Sequence, residues 1–148
     1  VSTEDEVRKA SQQFYAALNR MTTGDAGGMA TIWSTGPNAS TMHPIGKREI
    51  GWDAVRKSFE QVAHLAGGGK VELKEQVIRV IGDAAYETGV ESGQITLGGH
   101  RAEIGHRVTN IYHREGGSWK ITHHHTDPSP AMNEILKQLQ ASPAKTAK

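Results

Sequence analysis

Residues 107–125 read Arg-Val-Thr-Asn-Ile-Tyr-His-Arg-Glu-Gly-Gly-Ser-Trp-Lys-Ile-Thr-His-His-His, and this stretch decides the fold. Two β-leaning runs flank Gly116-Gly117, a pair able to adopt the positive φ that a two-residue hairpin loop needs. With that loop, Glu115 faces Ser118, Arg114 faces Trp119, Tyr112 faces Ile121, Asn110 faces His123 and Val108 faces His125, and directly opposed residues share a face. One face then carries His106, Val108, Asn110, Tyr112, Trp119, Ile121, His123, His125 and Asp127. The other carries Arg107, Thr109, Ile111, His113, Lys120, Thr122, His124 and Thr126. The first face is the more apolar and is expected to look toward helices. Its polar members, Asn110, His123, His125 and Asp127, would be costly in a dry core, so the pattern points to a polar-lined pocket.

Working outward, Gly82-Asp83 and Gly98-Gly99 divide the preceding span from Val71 into further β-leaning runs, which predicts a four-stranded antiparallel meander. Near the start, Thr3 and Glu6 form a capping-box pattern, and Val7, Ala10, Phe14, Leu18 and Met21 follow at helical spacing, predicting a helix over 4–20. A shorter helical piece is expected from Asp25 through Met29 and Ile32 to Trp33, and one short strand over 39–43, stopped by Pro44 and Gly46. Trp52, Val55, Phe59, Val62 and Ala66 mark a third amphipathic helix, with Gly67-Gly68-Gly69 as its expected terminator. A last helix is expected over 131–139. The predicted architecture is α+β, a curved antiparallel sheet packed on three helices, as a single domain over 1–141 with a mobile tail over 142–148.

Composition bounds the function. The chain has 148 residues, 36% of them hydrophobic and 22% charged, with no apolar run of membrane-spanning length, so no membrane span or signal peptide is expected and a cytoplasmic setting is. A net charge of +1 without a basic stripe argues against nucleic-acid partners. The absence of cysteine excludes disulfides, thiol nucleophiles and cysteine-type zinc sites, and fits a reducing compartment. Eight histidines make the charge sensitive to pH near 6.

Within the expected pocket, His125 is the candidate general base or acid, oriented by Asp127, and His43 is a further catalytic candidate. Tyr86 and Asn110 are candidate donors to a developing oxyanion. Tyr15, Trp33, Trp52, Tyr112 and His123 are candidate ligand-binding walls. His123, His125 and Asp127 have an H-x-H-type ligand spacing, but without a cysteine or an evident supporting carboxylate no metal is expected, and no cofactor.

The hairpin at 107–125, with His43-Pro-Ile-Gly46 and Gly51-Trp-Asp-Ala-Val-Arg-Lys-Ser-Phe59 upstream, resembles the SnoaL-like branch of the nuclear transport factor 2 and ketosteroid isomerase superfamily. It is similar to bacterial YybH-type proteins, and its last hairpin resembles that of the calcium/calmodulin-dependent kinase association domain. The resemblance covers roughly residues 5–130. It implies a cone-shaped α+β barrel with an apolar pocket between a bent sheet and a long helix, and a homodimer paired through the outer sheet face. It says little about chemistry, because this fold hosts isomerases, dehydratases, cyclases, epoxide hydrolases and non-catalytic modules. A narrower likeness is to iota-class carbonic anhydrases, whose His-His-His-Ser-Ser strand end falls on His123 to Asp127; it implies a site at His125 and Asp127, with Thr126-Asp127 replacing the two serines. The expected function is a small-molecule pocket protein, an isomerase, dehydratase or cyclase working by His-mediated proton transfer on a small, partly apolar carbonyl compound. The alternatives are a non-catalytic ligand-binding module, a dimeric association domain, and a carbonic anhydrase-like lyase.

Overall fold

In the computed structural model, which describes residues 2–141, Ser2 starts the first helix, α1 (Thr3–Met21). Its Oγ accepts from Asp5 N at 3.1 Å while Asp5 Oδ2 accepts from Ser2 N at 3.4 Å, so the capping box sits one residue earlier than Thr3 and Glu6 suggest. The expected piece after Asp25 is a 3-10 helix, Gly27–Thr31, entered where Gly27 N donates to Asp25 Oδ1 at 2.9 Å. Then follow β1 (Ser40–Met42), β2 (Arg48–Ile50), α2 (Trp52–Leu65), β3 (Ala66–Ile81), β4 (Ala84–Leu97), β5 (His100–Glu115), β6 (Ser118–Thr126) and α3 (Pro130–Ala141). The expected tail over 142–148 lies outside the described residues.

Strands β3 to β6 form the predicted antiparallel meander, and both Gly98-Gly99 and Gly116-Gly117 take positive φ in its turns. The full sheet is not wholly antiparallel. Its order is β2-β1-β6-β5-β4-β3, and β1 runs parallel to β6, filling the edge that the meander leaves open. Strand β2 is a further departure; at three residues it is too short to show alternation. The glycine run after α2 opens β3 instead of terminating the helix, with an irregular register between Ala66 and Gly69. The sheet curves where β3 bulges between Lys74 and Val77, with Glu75 at φ 56°.

The concave face carries the core. Phe14 of α1 meets Trp33 edge-on at 6.1 Å, Trp33 lies 5.7 Å from Phe59 of α2, and Trp33 forms a parallel bridge to Ile121 of β6. Along β5 the inward row is Ala102, Ile104, His106, Val108, Asn110 and Tyr112, all buried, as the alternation predicts. Trp119 and Ile121 on β6 are inward too.

Beyond Ile121 the expected parity is inverted. Tyr112 pairs with Ile121, but Ile111 pairs with His123, Asn110 with His124 and Val108 with Thr126, so Thr122 is an extra residue on β6. The cause lies in the neighbours of β6. Ile121 is held by the Trp33 segment, with Ile121 N donating to Ile32 O and Ser34 N donating to Ile121 O, both at 2.9 Å. His123 to His125 are held by β1 instead. Thr122 spans the change of partner and donates its hydroxyl to Asn38 O at 3.3 Å. His124 and Thr126 therefore point inward, and His123 and His125 outward.

Candidate active site

The inward rows of β4, β5 and β6 bring a set of polar side chains together beneath α1. Glu87 stands opposite Asn110, which stands opposite His124; four residues along β4, Glu91 stands opposite His106. Glu91 Oε1 lies 2.8 Å from His106 Nε2, and Glu91 Oε2 accepts from the Tyr15 hydroxyl of α1 at 2.9 Å. His124 Nε2 lies 3.9 Å from the same Oε2, too long for a hydrogen bond but close enough for charge to matter. Glu87 accepts from Asn110 Nδ2 at 2.9 Å, from the Tyr112 hydroxyl at 2.7 Å and from Gln76 Nε2 at 2.6 Å.

Glu91, His106 and His124 form one polar end of an interior cavity of about 50 Å³. His43 enters from the loop after β1, and apolar side chains complete the wall: Leu18 and Met21 from α1, Phe59 and Val62 from α2, Ile95 and Ile104 from the sheet, and Met132 from α3. The His43 ring is packed edge-on against Phe59 at 4.8 Å and lies 5.8 Å from the His124 ring. Ser58 Oγ donates to Val55 O at 2.6 Å, so its contact with His43 Nε2 at 2.9 Å has the histidine as donor.

Burial shapes every charge here. It opposes ionisation of Glu91, but the His106 hydrogen bond, the charges His124 and His106 can carry, and the Tyr15 hydroxyl outweigh it, holding the carboxyl below its ordinary range. Burial, reinforced by Glu91, keeps Tyr15 a phenol, and burial with Glu87 does the same for Tyr112. Burial pushes His43 down to about 3, helped by His124. His124 is also lowered by burial, against the pull of Glu91. The cavity thus sets a carboxylate, Glu91, near two imidazoles, His43 and His124, that burial disfavours in their charged form.

Of the residues singled out from sequence, Tyr15, Asn110 and Tyr112 belong to this buried network and His43 reaches the cavity. Trp33 is core, and Trp52 is half-buried at a ring distance of 6.5 Å from it. Tyr86 lies on the outer sheet face, opposite Ile111. The extra residue on β6 corrects the placement of three others. His123 accepts or donates at Ser40 Oγ, 2.7 Å away, on the outer face. His125 is exposed, and Asp127 pairs with Arg107 at 2.7 Å instead of with His125. The hydrogen bonds from Arg107 hold the Asp127 carboxyl below its usual range. These two residues line an outer depression of about 440 Å³ with Glu75 and Thr109. It is larger than the interior cavity but open to water, which screens its charges. Glu87, Glu91, His124 and Thr126 are inward polar residues that the hairpin reading leaves off the inward face, and of these Glu91 and His124 line the cavity.

A family match and several structural likenesses agree with this fold. Residues 7–131 match the SnoaL-like domain. No curated protein matches the chain. Among solved structures, a candidate dehydratase of the NTF2-like family from Streptomyces avermitilis is 24% identical, covering 86% of this chain and 96% of that one with a TM-score of 0.70. A candidate calcium/calmodulin-dependent protein kinase type II association domain from Thiobacillus denitrificans is 26% identical, covering 82% and 94% with a TM-score of 0.66. A candidate ketosteroid isomerase from Shewanella frigidimarina is 21% identical, covering 80% and 92% with a TM-score of 0.65. With the family match spanning most of its length and an NTF2-like α+β fold built around a bent sheet, this chain belongs to the SnoaL-like domain family.

Proposed function

We propose that this protein binds a small, uncharged, partly apolar carbonyl compound in the interior cavity and moves a proton on it, as an isomerase, dehydratase or cyclase does. The observation that carries this reading is Glu91, a carboxylate 4% exposed at the cavity wall with His124 Nε2 3.9 Å away. Neutral His124 is the proton acceptor: the substrate's C–H pair of electrons moves toward the carbonyl oxygen as the proton passes to Nε2. The imidazolium so formed faces Glu91, whose negative charge offsets it in a setting where water does not. Return of the proton to a different carbon completes an isomerisation; its transfer to a β-hydroxyl, which departs as water as the C–O bond breaks and the C=C bond forms, completes a dehydration. Among the described residues no lysine or arginine lines the cavity, and Glu91 would repel a carboxylate or phosphate, hence the uncharged substrate.

The test is proton exchange in D2O with a panel of small linear and cyclic ketones, read by mass spectrometry. We expect deuterium at the α-carbon of at least one, reduced about 100-fold or more in His124→Gln. No exchange across the panel, with ligand-induced shifts of the His124 resonances, would replace catalysis by simple binding.

The outer sheet face supports a homodimer. Tyr86 and Ile111 are directly paired, 40% and 36% exposed, and Val77 and Ile81 of β3 extend the same apolar face. We assign this surface to pairing of two copies of the chain, in keeping with the association-domain likeness.

A further inference from the structure

One buried carboxylate has no part in the proton transfer just described. Glu87 is 0% exposed, and the hydrogen-bond partners that surround it, Gln76, Asn110 and Tyr112, are all neutral donors. Its effect reaches the cavity through the orientation of a single amide. Asn110 Nδ2 donates to Glu87 Oε1 at 2.9 Å and to the Tyr15 oxygen at 3.1 Å, while the hydroxyl proton of Tyr15 is committed to Glu91. Turned through 180°, Asn110 would set its carbonyl against a carboxylate and against a phenol oxygen with no hydrogen to give. The amide therefore has one orientation, and Oδ1 is the atom 2.7 Å from His124 Nδ1. An amide oxygen only accepts, so Nδ1 carries the hydrogen. The lone pair of the neutral ring is left on Nε2, the nitrogen 3.9 Å from Glu91.

We propose that Asn110 is a positioning residue: anchored by Glu87, it holds His124 as the Nδ1–H tautomer and thereby presents Nε2 to the cavity as a proton acceptor. The word acceptor rests on the function proposed above, whereas the tautomer stands without it. The opposite tautomer would aim its Nε2–H at Glu91 and leave no basic nitrogen at the cavity wall. The other titratable groups facing His124 are His43 and His106, the first across the cavity and the second bound to Glu91.

The test is two-bond 1H–15N correlation of the histidine rings in the ligand-free protein at pH 7.5. His124 is expected to show a pyrrole-type Nδ1 and a pyridine-type Nε2, and Asn110→Ala to shift it to the Nε2–H form. A wild-type Nε2–H tautomer or imidazolium overturns the proposal, as does an unchanged pattern in folded Asn110→Ala; if that variant fails to fold, the wild-type spectrum still decides. The exchange assay separates the two ideas. The expected tautomer without α-exchange upholds the hold of Asn110 on His124 and removes the catalytic role, while exchange with the opposite tautomer overturns that hold and assigns the proton transfer to a base other than His124 Nε2. Where exchange is present, Asn110→Ala should lower its rate about 100-fold, the scale of a lost general base.

Discussion

Glu91 and His106 face each other across the β4–β5 ladder, and their side chains meet at 2.8 Å beneath the helices with only 5% of each exposed. A carboxylate this deep is held by what surrounds it, since taking its charge out of water is costly unless hydrogen bonds satisfy it. Tyr15 supplies the second hydrogen bond to the carboxylate, from a different layer of the fold.

Removing the carboxylate should therefore be expensive. Glu91→Ala leaves the Tyr15 hydroxyl and His106 without their partner and is expected to destabilise the fold by about 2–5 kcal/mol, the scale of two buried polar groups left unsatisfied. Glu91→Gln retains an acceptor and should lose less. Urea unfolding midpoints of the two variants and the parent check the order.

The imidazoles set the response to acid. His43, with its folded pKa near 3 against 6.5 when unfolded, binds fewer protons folded than unfolded between those values, and His124 is displaced in the same direction. Stability is thus present in full above pH 6.5 and lost progressively as the pH falls toward 3. Glu91, also lowered, adds a loss below its ordinary value of 4.5 with the same sign. The urea midpoint should decline from pH 7 to pH 5, and His43→Phe should decline less steeply; a flat profile in the parent would contradict this.

Sheet curvature offers a sharper contrast. Gly93 sits at φ 146°, where a Cβ would overlap the carbonyl oxygen of Lys70, whereas Gly105 on the neighbouring strand has open space beside it. Gly93→Ala should destabilise by more than about 2 kcal/mol, and Gly105→Ala should stay within about 0.5 kcal/mol of the parent or gain slightly. Thermal melts of the two variants make the comparison.

Charge placed on the outer face tests the dimer. Ile111→Asp puts a carboxylate in the middle of the apolar pair with Tyr86, far from the cavity network. Sedimentation equilibrium should find a dimer for the parent and a 16 kDa species for the variant; a monomeric parent at micromolar concentration would remove the interface.

Much of the fold is legible because its punctuation is local. The helical spacing from Val7 to Met21 and the glycine turns act over a few residues, and a single alternation runs unbroken down β5. The site is half legible for the same reason. A two-residue loop at Gly98-Gly99 pairs Leu97 with His100 and, counting along the strands, Glu91 with His106 and Glu87 with Asn110. The signal for both carboxylates was therefore present in the second hairpin, beside inward residues already read from the first. The inverted ending of β6 is different in kind. Thr122 is extra because β6 changes neighbour from the Trp33 segment to β1, a contact between residues some 80 positions apart that no alternation within the strand encodes.

Helix α1 is fastened along one edge. Arg8 and Ser11 bond Gln76, Tyr15 bonds Glu91, and Asn19 both donates to Val71 O and accepts from Val71 N. Four anchors spaced by three or four residues form a row of rivets, and sliding the helix by one turn would shear all of them at once. Leu18 and Met21, which α1 contributes to the cavity, are thereby fixed in place. A guest larger than the resting space must make its room on the opposite side, by displacing Phe59 and Val62 of α2 or Met132 of α3, so the size of molecule this protein admits is a property of its two shorter helices.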